Sequence, residues 1–303
     1  MKIKPTSRLK ALILVLILLL SNTSTATASN DTASNDTISN AIANATTLST
    51  EQQEIDIHHY YYNLNELEKT VYDTFTKFKA KILSNQKFTF RLGPITKKET
   101  YVYSVSRARQ AFILDDPEAL IWFQNVELSL HLKDSDAYVL VQPQDSTNRY
   151  SDLSSKELPN AIKTFEEKAS QIAKTLHGTD REKLYQIYSW LLENVTYDFT
   201  FELPNTRSAY GALINGKSVC SGFAYAYKYI ADLAGLEVLY VTGILNSASE
   251  YHAWNMAKVD GKWYFIDATS GATNLRIFRG CYFLMSTSSR NYSLDTDFFT
   301  YPS

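Results

Sequence analysis

The chain has 303 residues, enough for one or two domains, and 45% of them are apolar, so a sizeable core can be built. The formal net charge is −2, with charges spread along the chain, which provides no basic face for nucleic acid. Five histidines and two cysteines occur without clustered ligand spacing and the ten glycines form no phosphate-binding loop, so neither a metal nor a nucleotide cofactor is expected.

Residues 1–28 have the three parts of a secretory signal peptide. Lys2, Lys4, Arg8 and Lys10 form a positive head, residues 11–20 are an unbroken apolar run, and Ala26-Thr27-Ala28 is a small-residue cleavage site. A run of ten residues is short for a bilayer span, which needs about 20. An uncleaved anchor is the weaker alternative. The expectation is a secreted or cell-surface protein with no stable membrane span after cleavage. Residues 29–50 are rich in Ser, Thr and Asn and contain the near-repeat Ser29-Asn30-Asp31-Thr32-Ala33 and Ser34-Asn35-Asp36-Thr37-Ile38. With almost nothing to bury, this stretch reads as a disordered linker. Asn30, Asn35, Asn44, Asn194 and Asn291 each head an Asn-x-Ser/Thr triplet, which matters only in a glycosylating host.

Residues 51–153 read as an N-terminal α+β module. A helix is compatible with 64–83, a strand with 87–92, and a second helix with 101–112, stopped by Asp115-Asp116-Pro117. Two alternating stretches, 126–132 and 138–141, flank Asp134-Ser135-Asp136 and predict a hairpin. No chemistry is evident here. His58-His59 has no acidic or thiol partner at ligand spacing and reads as surface.

Residues 154–303 read as a second domain, and from about 154 the pattern turns helical. Ile162, Phe165, Ala169, Ile172 and Leu176 form one apolar helical stripe, ended by Gly178. Thr179 and Glu182 make a capping box for a following helix that runs to about Asn194. After the loop Asn215-Gly216-Lys217-Ser218, Cys220 opens a helix that Gly235 closes. A strand over 237–245 precedes two more, 251–259 and 262–268, joined by Asp260-Gly261, a strong two-residue hairpin signal.

The candidate chemistry lies here. At a helix start, the dipole and unpaired backbone amides favour a thiolate at Cys220 and can hold an oxyanion. Gly222 leaves room for a substrate backbone. A two-residue turn sets Val259 opposite Lys262 and Trp254 opposite Asp267. His252 and Asp267 then share a face as diagonal neighbours, with Cα atoms about 7–8 Å apart, close enough for an imidazole–carboxylate hydrogen bond. With the Cys220 helix packed on that face, Cys220, His252 and Asp267 take the roles of nucleophile, base and orienting carboxylate.

The stretches 219–230 (VCSGFAYAYKYI), 251–255 (YHAWN) and 260–269 (DGKWYFIDAT) resemble the three signature blocks of the transglutaminase-like superfamily. There, a Cys begins a helix and is followed by x-Gly-aromatic-Ala, a His precedes Ala-Trp, and an Asp follows Gly-x-Trp-Tyr. The resemblance covers roughly residues 160–285. It implies an α+β, papain-like core with a Cys-bearing helix on an antiparallel sheet. More loosely, Asp116-Pro117-Glu118 with Trp122, and 208–213 (SAYGAL), resemble segments preceding the core in exported bacterial members. Tyr210 is then a candidate to line the site or assist the oxyanion, or equally a packing aromatic. Ser221, Gly222 and Trp254 are the other substrate or oxyanion candidates.

Several alternatives stay open. Two cysteines in an exported protein invite a Cys220–Cys281 disulfide, although Cys281, in Cys-Tyr-Phe-Leu-Met, reads as a small core residue in a buried strand. Trp254 falls on the His252 face and can exclude water. Trp263 reads as core, Asn255 lies on the opposite face, and His131 and His177 read as surface. The expected reaction is protease- or amidase-type hydrolysis of a protein or peptide substrate, with the cell surface or wall as the expected setting. Cross-linking or deamidation of protein glutamine is the runner-up, and a non-catalytic secreted binding or scaffold module is the rival from another class.

Overall fold

The computed structural model describes residues 58–94, 98–123, 126–143 and 152–302. The expected signal peptide, the linker and the triplets at Asn30, Asn35 and Asn44 lie outside them. Helix α1 (His59–Tyr62) leads into α2 (Glu66–Lys77) and α3 (Lys79–Leu83). A capping box starts α2: the Asn65 side chain accepts from the Glu68 amide at 3.0 Å, and Glu68 accepts from the Asn65 amide at 2.9 Å. The single helix expected over 64–83 is broken at Phe78, whose ring packs 4.6 Å from Phe88 at the head of the next strand.

That strand, β1 (Phe88–Pro94), is followed by α4 (Lys98–Asp115), α5 (Ala119–Phe123), β2 (Val126–Lys133) and β3 (Asp136–Pro143). The expected hairpin forms, with Lys133 paired to Asp136 across a turn in which Asp134 is left-handed (φ 54°). The sheet is antiparallel, in the order β1–β3–β2.

The second half begins with two helices, α6 (Leu158–Thr175) and α7 (Asp180–Asn194). The Thr179–Glu182 capping box is present, with the Thr179 amide donating to Glu182 at 2.7 Å. Next come β4 (Thr196–Tyr197), α8 (Ala209–Leu213), β5 (Lys217–Ser218), α9 (Cys220–Leu233), β6 (Val238–Leu245), β7 (Glu250–Val259), β8 (Lys262–Ile266), α10 (Ala268–Thr273), a 3-10 helix (Arg276–Tyr282), β9 (Met285–Ser286) and β10 (Tyr292–Leu294). Five of the strands form an antiparallel sheet in the order β10–β6–β7–β8–β9. Mixed helices and antiparallel sheets are the α+β architecture expected.

One continuous apolar core holds Tyr60, Phe75 and Trp122 from the first half and Phe165, Tyr227 and Ala253 from the second. Covering that seam, the Tyr60 hydroxyl donates to the Tyr240 carbonyl. The C-terminal tail returns to the first half, where the Arg107 guanidinium donates to the Phe298 carbonyl at 3.0 Å and lies over the Phe299 ring.

Candidate active site

The short parallel pair β4–β5 delivers Cys220 to its place. Tyr197 pairs with Ser218, and the Asp198 amide donates to the Ser218 carbonyl at 2.8 Å, two residues before the helix. Val219 is the N-cap of α9 in extended geometry, with no capping side chain, so Cys220 is the first helical residue. The first amides of a helix have no acceptor inside it. Cys220 itself is partly exposed and its thiol is free. The Tyr197 hydroxyl is hydrogen-bonded to the Cys220 backbone and lies in the field of its side chain. Burial and the Cys220 and Glu250 side chains push that hydroxyl's pKa up to about 12.

The hairpin register is the expected one. Val259 pairs with Lys262 and Asn255 with Ile266, around a primed turn with Asp260 at φ 50° and Gly261 at φ 74°. The β7–β8 ladder stops there. Asp267 is not the strand residue expected opposite Trp254, because it leaves the sheet to become the N-cap of α10, accepting from the Ser270 amide at 2.9 Å. Residues 252–254 of β7 therefore have no ladder partner on that side, and His252 and Asp267 meet in the space. His252 Nε2 lies 2.9 Å from Asp267 Oδ2. The same carboxylate oxygen accepts from the Tyr292 hydroxyl at 2.9 Å. His252 also shares a side-chain hydrogen bond with Cys220, for which Nδ1 is the remaining ring nitrogen. Trp254 stacks beside the His252 ring with centroids 6.0 Å apart and is itself buried, so it keeps water from one side of the pair.

The electrostatics follow from these contacts. Burial works to lower the His252 pKa, but hydrogen bonds and charge from Asp267 and Cys220 outweigh it and raise the value to about 10. Burial also works against the Asp267 carboxylate, yet the bonds from His252 and Ser270 hold its pKa below the ordinary range. His252 is thus fixed between a carboxylate and a cysteine sulfur, both of which favour its charged form.

The body of α9 packs on the other face of the sheet from the one expected. Ala253, Ala257 and Val259 join Phe223, Tyr227 and Ala231 of α9 in the main core, and the Asn255 side chain donates to the Ala224 carbonyl at 3.0 Å and the Leu239 carbonyl at 3.2 Å. The alanines give the helix close approach. Trp254 and Met256 point away, into a second cluster with Leu239, Val241, Phe265 and Tyr292. Only the first residue of α9 reaches His252.

Other expectations are corrected. Gly222 makes no room for substrate: it is buried, and a Cβ there would lie 1.9 Å from Ser218 Oγ and 2.7 Å from the Ser208 and Thr206 carbonyls. Its amide donates to the Val219 carbonyl at 3.0 Å. Glycine is required because α9 rests on the preceding loop. The Ser221 hydroxyl donates to the Arg207 carbonyl at 3.1 Å, tying the helix to that loop. Tyr210 is half-buried, and the charges acting on its hydroxyl are Asp152 and Glu157, not groups of the Cys220 site. The tyrosines that do act there are Tyr197, Tyr240 and Tyr292. No motif in the sequence marks them; only the fold brings them in. Cys281 is not a buried strand residue but an exposed one in the 3-10 helix, where the Asp267 amide binds the neighbouring Tyr282 carbonyl. Both cysteines are free thiols. Among the described residues no cluster of His, Cys, Asp or Glu is arranged to hold a metal ion, and no helix is long and apolar enough to cross a membrane.

Residues 167–268 match the profile of the transglutaminase-like superfamily. Kyphoscoliosis peptidase of Homo sapiens is 28% identical over 121 residues, which are 36% of this chain and 18% of that protein. The match therefore spans less than a fifth of the length of that relative. Among solved structures, a TGase aligns with a TM-score of 0.35 at 13% identity, over 69% of this chain and 55% of its own. A candidate cysteine protease from Cytophaga hutchinsonii aligns with a TM-score of 0.30 at 18% identity, over 48% of this chain and 63% of its own.

Proposed function

We propose that the transglutaminase-like domain of residues 167–268 serves an exported thiol hydrolase that cleaves peptide or carboxamide bonds, with Cys220 as nucleophile, His252 as acid and base, and Asp267 as orienting carboxylate. The observation that carries this reading is the unbroken chain of hydrogen bonds from Tyr292 through Asp267 and His252 to Cys220. His252 takes the thiol proton, and the thiolate attacks the carbonyl carbon. The oxyanion faces the head of α9, where the helix dipole favours negative charge. The carbon–nitrogen bond breaks as His252 returns the proton to the leaving amine, leaving a thioester on Cys220. Water then attacks the thioester while His252 takes its proton, and the carboxylic acid departs as the thiol is restored. A lysine amine in place of water would give cross-linking instead.

The test is iodoacetamide alkylation followed by peptide mass spectrometry at pH 6, in reduced protein. Exposed Cys281 is the internal reference. Ordinary thiols, with pKa about 8.5, label slowly at this pH. Cys220 is expected to label much faster than Cys281 in wild type and to lose that advantage in His252→Ala. Equal rates, unchanged by the substitution, would refute the nucleophile. Amide substrates and a labelled amine then decide the acceptor. The substrate is expected to be a protein or peptide at the cell surface or wall. Export is tested separately: protein recovered outside the cell should begin at Ser29, and an intact Met1 there would count against cleavage after Ala28.

A further inference from the structure

We infer that Tyr197, Phe199 and Phe201 form a subsite for a large apolar side chain of the polypeptide substrate, beside the carbonyl that Cys220 attacks. This rests on the reading of Cys220 as nucleophile. The chain after β4 runs Tyr197-Asp198-Phe199-Thr200-Phe201-Glu202-Leu203. Asp198 turns inward: it is fully buried and accepts from the Thr200 amide at 3.1 Å and the Thr200 hydroxyl at 2.6 Å. Phe199 and Phe201 turn outward and are 73% and 53% exposed. Phe201 sits at φ 59°, in a left-handed conformation that a bulky residue rarely adopts.

The loop is anchored at both ends to the turn that carries Cys220. The Asp198 amide donates to the Ser218 carbonyl at 2.8 Å, and the Val219 amide and Ser218 hydroxyl donate to the Thr206 carbonyl at 2.9 Å and 2.7 Å. The two outward rings pack on Tyr197, with centroids 4.8 Å and 6.1 Å from it, and the Tyr197 hydroxyl bonds the Cys220 backbone. A fixed loop thus holds an aromatic ledge in water against the conformational preference of its own backbone. Such exposed apolar clusters mark binding surfaces. Because this one begins at the Cys220 backbone, a polypeptide whose carbonyl occupies the site can also cover it. The outward side chains of the ledge, Phe199 and Phe201, are phenyl rings, which select an apolar side chain.

The probes are two peptidyl chloromethyl ketones that differ only in carrying Phe or Ala next to the ketone. Labelling of Cys220 is measured by peptide mass spectrometry. Each rate is normalised to the reagent's rate with free cysteine and to the same protein's iodoacetamide rate. Wild type should prefer the Phe reagent by about tenfold or more. The preference should collapse toward one in the Phe199→Ser/Phe201→Ser double variant and persist in Tyr62→Ser, an exposed tyrosine of α1. A wild-type ratio near one, or a ratio retained by the double variant, overturns the subsite. So does a dimer that the double variant dissolves without changing the ratio, since the ledge would then be a self-contact. If iodoacetamide labels Cys220 no faster than Cys281, the nucleophile reading fails and takes the subsite with it.

Discussion

Asp115 and Asp267 are both buried and both accept several hydrogen bonds, yet they behave oppositely. Asp115 accepts from the amides of Tyr60 and Tyr61 at 3.0 Å and 2.8 Å and from the Tyr72 hydroxyl at 3.3 Å. Asp267 accepts from His252, the Ser270 amide and the Tyr292 hydroxyl, each at 2.9 Å. Burial raises the Asp115 pKa to about 7, against the opposing charge of Lys228, whereas the Asp267 pKa is held below the ordinary range. What separates them is the bond and charge of His252 in direct contact with Asp267. Lys228 places its ammonium 2.9 Å from Asp232 instead, while His252 binds Asp267 itself. At Asp115 the neutral donors favour the carboxylate but do not outweigh burial, whereas at Asp267 the added bond and charge of His252 do.

Removing the cation breaks the comparison most severely. His252→Ala should leave Asp267 as poorly compensated as Asp115 and reduce amide hydrolysis by roughly a thousandfold or more, read as kcat/KM. The paired experiment is Asp267→Asn, in which the His252 titration followed by NMR should fall from about 10 toward the ordinary 6.5. A midpoint that stays near 10 would show that the carboxylate is not what holds the proton. In wild type, the stability contributed by His252 is full below pH 6.5 and is lost as pH rises through about 10.

The next largest effect concerns stability against pH, where the two aspartates pull in opposite directions. Asp115 has a folded pKa of about 7 against an ordinary 3.8, so the fold binds the extra proton and loses stability as pH rises between those values. Asp116 and Asp232, both raised to about 6 by burial, act in the same sense. Asp267 contributes stability above the carboxylate range that is lost only as pH falls through its depressed pKa. Urea unfolding should therefore show stability declining from pH 4 to 7, by at most about 1.4 kcal/mol per pH unit for each proton involved. Asp115→Asn should flatten the decline while lowering stability throughout, because an amide nitrogen cannot accept from the Tyr61 amide and Tyr72 hydroxyl as Oδ2 does. A slope unchanged by the substitution would refute the Asp115 assignment. The smallest effect is Tyr292→Phe, which removes one neutral donor from Asp267. It should cost about 1 kcal/mol, near a fivefold loss in kcat, with Cys220 still the faster-labelling thiol.

Much of the candidate site was legible because its signals are local. A helix-start cysteine, a histidine on an alternating strand and an Asp-Gly turn set the β7–β8 register, and that register came out as counted. The capping box at Thr179 is equally local. What could not be read depends on groups far apart in the chain. Tyr292 follows Asp267 by 25 residues and reaches it from a strand two places removed from β7 in the sheet. The Tyr60 hydroxyl binds a carbonyl 180 residues away.

By itself, then, the sequence singled out the candidate residues Cys220, His252 and Asp267, because the period of a strand, the start of a helix and the geometry of a two-residue turn are fixed by neighbouring residues. Only the tertiary structure decided that α9 lies on the alanine face of β7, that Asp267 leaves the ladder to cap α10, and that Tyr197 and Tyr292 frame the thiol and the carboxylate. Alternation names two faces of a strand but not which of them a helix will cover; close packing of side chains brought from distant elements makes that choice.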